Sequence, residues 1–291
     1  MIEPWAEWQH YKDWKPDLAS FKETLDGGQA FCWEPLDERS YEGVVSNIPF
    51  RLRWDASKSV YWTTFAPFFD EADALFSKYI GDQKTYQKRY DTLPWRSDPH
   101  LKRCIEAYPD LRILNQPTGE TLLGFLCSAT KQIVQIKEML RLVRERFGAP
   151  LLESYKSLPN WQQVHEIEES SLRECKFGFR AKNISKTAAI LSQNPDLIDA
   201  IDSQNYTTAK ETLCSLPGVG EKVADCVLLF GYHKLEAFPV DTWIIKAMAR
   251  RYQLVGWTPK QIAHFGRTHF GDYAGLAQQF LFAWERKHTR K

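Results

Sequence analysis

The run Leu216–Asp241, LPGVGEKVADCVLLFGYHKLEAFPVD, constrains this chain more than any other stretch. Pro217, Gly218, Val219 and Gly220 make a turn between two helical patterns. One, Thr207–Leu213, leads in; the other, Val223–Phe230, leads out and is stopped by Gly231. Glycine at 218 and 220 permits positive φ and leaves room for a phosphate against the backbone amides. The start of the following helix adds the positive end of a dipole, which welcomes an anion. Lys222 lies just inside that helix. A lysine so placed has its ammonium form disfavoured by the dipole, one route to a nucleophilic amine. Asp241 falls where the next helix begins. Taken singly, each feature has a plain reading. Gly-x-Gly turns are common, a first-turn lysine is usually solvated, and an aspartate before a helix is usually an N-cap. A dinucleotide-binding reading of the glycines fails, because the turn follows a helix and not a strand.

The first hundred residues read differently from the rest. Phe50, Leu52 and Trp54 alternate with Arg51 and Arg53, a polar turn follows at Asp55–Lys58, and Val60–Phe65 is β-branched and aromatic. That pattern predicts a hairpin in an antiparallel sheet with one covered face. The pair Gly27-Gly28 reads as a turn entering an aromatic strand. From about residue 70 the patterns are helical. Ile133, Ile136, Met139, Val143 and Phe147 form an apolar stripe ended by Gly148 and Pro150. A helix is expected from Gly178 to Asn194, a capping box with proline at the first helical position at Thr258–Gln261, and a last helix over Ala274–Arg286. The expected class is α+β: an N-terminal α/β domain with a twisted antiparallel sheet over 1–110, then a mostly helical region over 111–291. The second holds the helix-hairpin-helix (about 207–230) and the Pro-Val-Asp loop (239–241).

A net charge of +1 over 291 residues means that any nucleic-acid site must be a local patch and not a bulk property. The 11 Trp, 12 Tyr and 17 Phe suffice for large cores and for stacking on bases. Cys32, Cys104, Cys127, Cys175, Cys214 and Cys226 are scattered without C-x-x-C spacing, which fits neither zinc nor an iron–sulfur cluster nor a disulfide framework. The N-terminal MIEPWAEWQHYKDW has no apolar signal region, and no run is long enough to span a membrane. A soluble, intracellular monomer is the expectation.

Taken together, Leu-Pro-Gly-Val-Gly-x-Lys-x-Ala-Asp-Cys and Pro239-Val240-Asp241 closely resemble the helix-hairpin-helix and Gly/Pro-Asp signature of base-excision DNA glycosylases. With lysine at the nucleophile position and Cys226 one turn on, the chain is most similar to the 8-oxoguanine DNA glycosylase/AP lyase family. The resemblance runs from about Leu25 to the C-terminus. It implies that Lys222 attacks the sugar C1′ and that Asp241 favours the oxocarbenium-like transition state, an electronic demand common to glycoside hydrolysis. The resulting Schiff base would lead to β-elimination and strand cleavage. The implied partner is duplex DNA containing 8-oxoguanine, with the target base flipped out of the stack.

The resemblance also implies a pocket. Gly28, in Gly-Gly-Gln-Ala-Phe-Cys-Trp, matches the glycine whose carbonyl accepts the N7 hydrogen that 8-oxoguanine has and guanine lacks. Gln278 matches the residue on the base edge, and Phe282 and Cys226 those on its two faces; by periodicity alone the last two are core residues. Phe179 and Arg180, in Phe177-Gly-Phe-Arg-Ala-Lys, match the wedge aromatic (usually tyrosine) and an arginine for the estranged cytosine. Thr130 and Gln135 stand where the eukaryotic pattern has an asparagine-rich run and a second cytosine-reading arginine, so discrimination against adenine opposite the lesion is expected to be weaker. Trp243 stands in place of a phosphate-contacting histidine. The turn Pro217–Gly220 would grip a phosphate. Such hairpins often hold a monovalent cation, structural and not catalytic. No cofactor or catalytic metal is required.

Two rival readings remain at this stage. A monofunctional alkylbase glycosylase shares the hairpin and the aspartate but lacks the nucleophilic lysine, so Lys222 counts against it. A non-catalytic helix-hairpin-helix module needs neither Lys222 nor Asp241.

Overall fold

Alternation along the early strands builds an antiparallel sheet in the computed structural model, which describes residues 5–152 and 154–288. Residues 1–4, the start of the segment read above as lacking a signal region, lie outside the described residues. The strands are β1 (Gln9–Tyr11), β2 (Trp33–Pro35), β3 (Ser40–Val45), β4 (Ile48–Trp54) and β5 (Val60–Thr63), in the spatial order β1-β5-β4-β3-β2. In the expected hairpin Leu52 pairs with Trp62 and both are buried, while Arg53 points to solvent. Trp54 departs from strict alternation: it is half-buried, and its indole N–H donates to the Pro16 carbonyl at 2.9 Å. The tight turn from β3 to β4 places Ser46 and Asn47 at φ of 48° and 66°, the double positive φ that a two-residue hairpin demands.

One face of the sheet is covered by α1 (Leu18–Asp26) and α2 (Phe69–Ile80). Trp14, Phe21, Leu25, Trp33, Phe50 and Phe76 form its apolar core. The chain then runs through α3 (Gln83–Thr92), α4 (Pro99–Ala107), α5 (Thr118–Leu126) and α6 (Ile133–Phe147). The apolar stripe foretold for α6 is present, with Ile136, Met139 and Val143 buried. A small hairpin of β6 (Pro150–Leu152) and β7 (Tyr155–Lys156) follows, in the region read as mostly helical, where no strand was expected. Strands of two or three residues carry too little periodicity to be read.

The remainder is α7 (Trp161–Glu166), α8 (Glu169–Leu172), α9 (Arg180–Gln193), α10 (Leu197–Asp202), α11 (Tyr206–Cys214), α12 (Glu221–Phe230), α13 (Thr242–Arg251), α14 (Pro259–Phe270) and α15 (Ala274–His288). The Thr258 capping box is formed, the Thr258 amide donating to Gln261 Oε1 at 2.9 Å and the Gln261 amide to Thr258 Oγ1 at 3.3 Å. The two apolar cores interleave along the chain. Tyr86, Leu101 and Cys104 of α3 and α4 belong to the helical core, whereas Leu114, later in sequence, belongs to the core of the sheet. Among the described residues no helix is long and apolar enough to cross a membrane.

Candidate active site

The hairpin of α11 and α12 presents the first half of the site. Gly218 sits at φ +84°, and a Cβ there would lie 2.9 Å from Asn183 Cβ, so conformation and close packing both require glycine. Gly220 is different from the expectation. Its φ of −92° is open to any residue, and it serves as the N-cap of α12. Nothing lies within 4 Å of a Cβ built there, so this glycine keeps open the approach to the amides at the helix start.

From the first turn of α12 the half-buried Lys222 reaches back to the end of α5. Its Nζ donates to Ser128 Oγ at 3.3 Å and lies 5.2 Å from the centroid of the Phe125 ring. Cys226, one turn on, is buried beneath it, and burial pushes its thiol up to about 11 against the opposing pull of the Lys222 charge. At neutral pH it is therefore a small, uncharged, polarisable surface and not a nucleophile.

Asp241 caps α13, its Oδ1 accepting from the Ile244 amide at 2.9 Å. Burial raises its carboxyl above the usual carboxylate range; the Ile244 amide and the Lys222 charge pull the other way without cancelling it. A carboxylate with its hydration reduced can stabilise positive charge on a sugar, and an amine close enough to feel its charge can serve as a nucleophile in cleavage of an N-glycosidic bond.

Both residues face one open cleft of about 1050 Å³. Gly28, Thr130, Gly218, Gly220, Trp243 and Phe282 share its walls. Gly28 is at φ +104°, and a Cβ on it would come within 2.9 Å of Ile133 Cδ1, so only glycine fits this wall. Phe282, half-buried, lies beneath Arg286, whose guanidinium is 5.5 Å from the ring centroid. The cleft thus joins residues separated by more than 250 positions in sequence.

Two expected pocket residues stand back from the wall. Cys226 lies under Lys222, and Gln278 is buried with its amide committed elsewhere. Gln278 Nε2 donates to the Pro239 carbonyl at 2.9 Å, and its Oε1 accepts from Gln279 at 2.7 Å. A buried amide must be satisfied when no base is present, and the Pro-Val-Asp loop does this.

At the mouth, Phe179 is 61% exposed, so its ring is open to a partner from outside the chain. Arg180, expected to reach outward, is folded inward. Its guanidinium donates to the Ala129 and Phe177 carbonyls and to Thr130 Oγ1. Thr130 itself adopts φ +55°. Gln135 is exposed in the first turn of α6, and its Oε1 accepts the Gln132 amide at 3.1 Å, a capping contact. So Arg180 and Thr130 meet, with Phe179 beside them, while Gln135 caps its own helix.

Sequence reasoning passed over Ser128, Gln29 and Arg286. Ser128 lies in the Cys127–Gln135 stretch compared above, but a lone serine has no pattern to mark it. Gln29 is 1% exposed and anchors the turn that carries Gly28. Its position next to Gly28 was the only available signal.

The description "8-oxoguanine DNA glycosylase, N-terminal domain" matches residues 15–122, and "HhH-GPD superfamily base excision DNA repair protein" matches residues 123–268. The chain belongs to the 8-oxoguanine DNA glycosylase family of the HhH-GPD superfamily. A probable N-glycosylase/DNA lyase of Methanothermobacter thermautotrophicus is 41% identical over 233 residues, covering 72% of this chain and 74% of the relative. The N-glycosylase/DNA lyase OGG1 of Arabidopsis thaliana is 27% identical over 279 residues, covering 90% of this chain and 76% of that protein. Among solved structures, the 8-oxoguanine glycosylase/lyase of Clostridium acetobutylicum, in complex with double-stranded DNA bearing cytosine opposite 8-oxoguanine, superposes with a TM-score of 0.84 at 30% identity. The alignment covers 97% of this chain and 98% of that one. The α+β architecture is that of the family, with the antiparallel sheet in the N-terminal part and the hairpin in the helical part.

Proposed function

We propose that this family member is a bifunctional DNA glycosylase and AP lyase that excises 8-oxoguanine from duplex DNA. The observation that carries the reading is the single cleft lined by Lys222, Asp241, Gly28 and Phe282. The Lys222 amine attacks C1′ through its nitrogen electron pair as the base departs with the electrons of the glycosidic bond, and Asp241 stabilises the positive charge that develops on the sugar. Ring opening leaves a Schiff base to Lys222. A proton is then lost from C2′, and its electron pair expels the phosphate on the 3′ side. This chemistry runs on an amine and a carboxylate and needs no cofactor. A monovalent cation at the hairpin would be structural. The Leu216 and Pro217 carbonyls, which each accept one hydrogen bond and keep a second lone pair, are the groups of the turn that would hold it. On this reading the protein works inside the cell as a monomer.

Borohydride trapping on a duplex with 8-oxoguanine opposite cytosine tests the reading: a covalent protein–DNA adduct is expected. Base release without an adduct would favour water as the nucleophile and a monofunctional enzyme.

The opposite base should be read loosely. Arg180 must give up protein acceptors before it can face a cytosine, and Gln135 spends its carbonyl on the Gln132 amide. Excision rates opposite C and A are expected to lie within about tenfold, the consequence of losing about one hydrogen-bonded contact to the cytosine. Single-turnover assays on 8-oxoguanine paired with C, A, G and T check this; a strict preference for cytosine overturns it.

A further inference from the structure

We propose that Lys137 is a positioning residue for the loop that recognises the lesion, acting as an electrostatic staple between the two ends of that loop. The inference rests on the glycosylase reading above. Lys137 lies on α6 and is 7% exposed, so it is not a solvated surface lysine. Its Nζ is 2.9 Å from Asp26 Oδ1 and 3.4 Å from Glu34 Oε2. Asp26 is the last residue of α1, and Glu34 lies within β2. The segment between them carries Gly28. One buried ammonium therefore touches a carboxylate at each end of the recognition loop.

The loop has a second fastening on its other side. Gln29 Nε2 donates to the Arg112 carbonyl at 2.8 Å, and its Oε1 accepts the Leu114 amide at 2.9 Å. Ile133, one turn before Lys137 on α6, packs where a Gly28 side chain would be. Helix α6 thus meets the loop twice, by contact at Gly28 and by charge at its ends. Asp26 also lines the cleft. Without the ammonium its carboxylate would face a cleft that must admit a polyanion, and it would be left unpaired beside buried groups. The orientation of the Gly28 carbonyl is what separates 8-oxoguanine from guanine on the family reading, so small displacements here are costly. A misplacement of about 1 Å can reduce a rate by about 100-fold.

Lys137→Met separates this role from general stability, because strand cleavage at a preformed abasic site uses Lys222 but has no base to recognise. Single-turnover excision of 8-oxoguanine is expected to slow by about 10- to 100-fold. Cleavage of the same duplex carrying an abasic site should stay within about twofold of the wild type, since the amine and carboxylate are untouched. Lys137→Arg, which keeps the charge, should restore excision, and Asp26→Asn in the Lys137→Met background should restore part of it. Hydrogen exchange of the amides from Gly27 to Trp33 in the free protein should be faster in Lys137→Met. Equal loss of both activities, or unchanged excision with unchanged exchange, overturns the proposal. A wild type that cuts abasic sites but leaves 8-oxoguanine in place would overturn the substrate reading instead, and the exchange rates would still decide the staple.

Discussion

Lys222→Gln is expected to abolish borohydride trapping and to slow base release by about 10⁴-fold or more, the scale on which enzymes lose rate with their nucleophile. Glutamine is close to lysine in length but has no free electron pair on nitrogen to form a bond to C1′. Strand cleavage should disappear with the Schiff base, because a water nucleophile leaves no iminium to acidify C2′. The fold should tolerate the change. Lys222 is half-buried, and it meets Ser128 Oγ at 3.3 Å, the face of Phe125 and the Cys226 thiol beneath it. The stability change is expected to stay within about 1 kcal/mol, because what is lost besides these contacts is the attraction of a half-buried ammonium for the Asp241 carboxylate. Thermal melting beside the trapping assay distinguishes loss of chemistry from loss of fold. A variant that still forms the adduct would move the nucleophile to another amine.

Asp241→Asn should divide activity from stability in the opposite direction. Removing one preorganised charge from a transition state typically costs 10²- to 10³-fold, and base release is expected to fall by about that much. Folding should not suffer. Asparagine caps a helix about as well as aspartate, so the contact to the Ile244 amide survives. The carboxyl of Asp241 is raised above the usual range because burial disfavours its ionised form. A raised acid contributes stability that is fully present below its unfolded pKa and is lost as pH rises through its folded pKa. The ionised form of Asp241 that the reaction uses therefore lies on the costly side. Asp241→Asn is expected to melt at or above the wild-type temperature at pH 7, with the difference shrinking as pH falls toward the ordinary carboxylate range. Wild-type base release should also fall away on the acid side at a pH above that range, a limb missing from the variant. A Tm several degrees below wild type at pH 7 would mean that the carboxylate's charge holds the helix and that function exacts no toll in stability.

Much of this was legible in the chain itself, for local reasons. Helix termini are written in glycine, proline and capping residues, and so α9, α11, α12, α13 and α15 fall within a residue or two of where the pattern puts them. Alternation revealed β4 and β5 because one face of the sheet is buried. Lys222 and Asp241 were visible because each stands at a helix start marked by a short local pattern, the hairpin turn for one and the Pro-Val-Asp loop for the other. Gly28, Phe282 and Phe179 were reached through the family pattern and not through periodicity, which would have left the apolar ones in the core. What stayed hidden were partners at a distance. Nothing local marks Ser128 as the group that Lys222 Nζ meets, or Lys137 as bound to Asp26 and Glu34 across 111 and 103 positions.

The sequence by itself determined the chemistry of the site: an amine at a helix start, a carboxylate at a cap, and a glycine where no side chain fits. These follow from residue type and from backbone rules acting over a few positions. Only the tertiary structure decided how the free protein holds that site. Arg180 is turned inward onto Ala129 and Thr130, Gln278 is tied to Pro239, and Lys137 closes the ends of the Gly28 loop. The physical reason is common to all three. A buried polar group takes whichever partner the packed neighbours supply, and those neighbours come from distant parts of the chain.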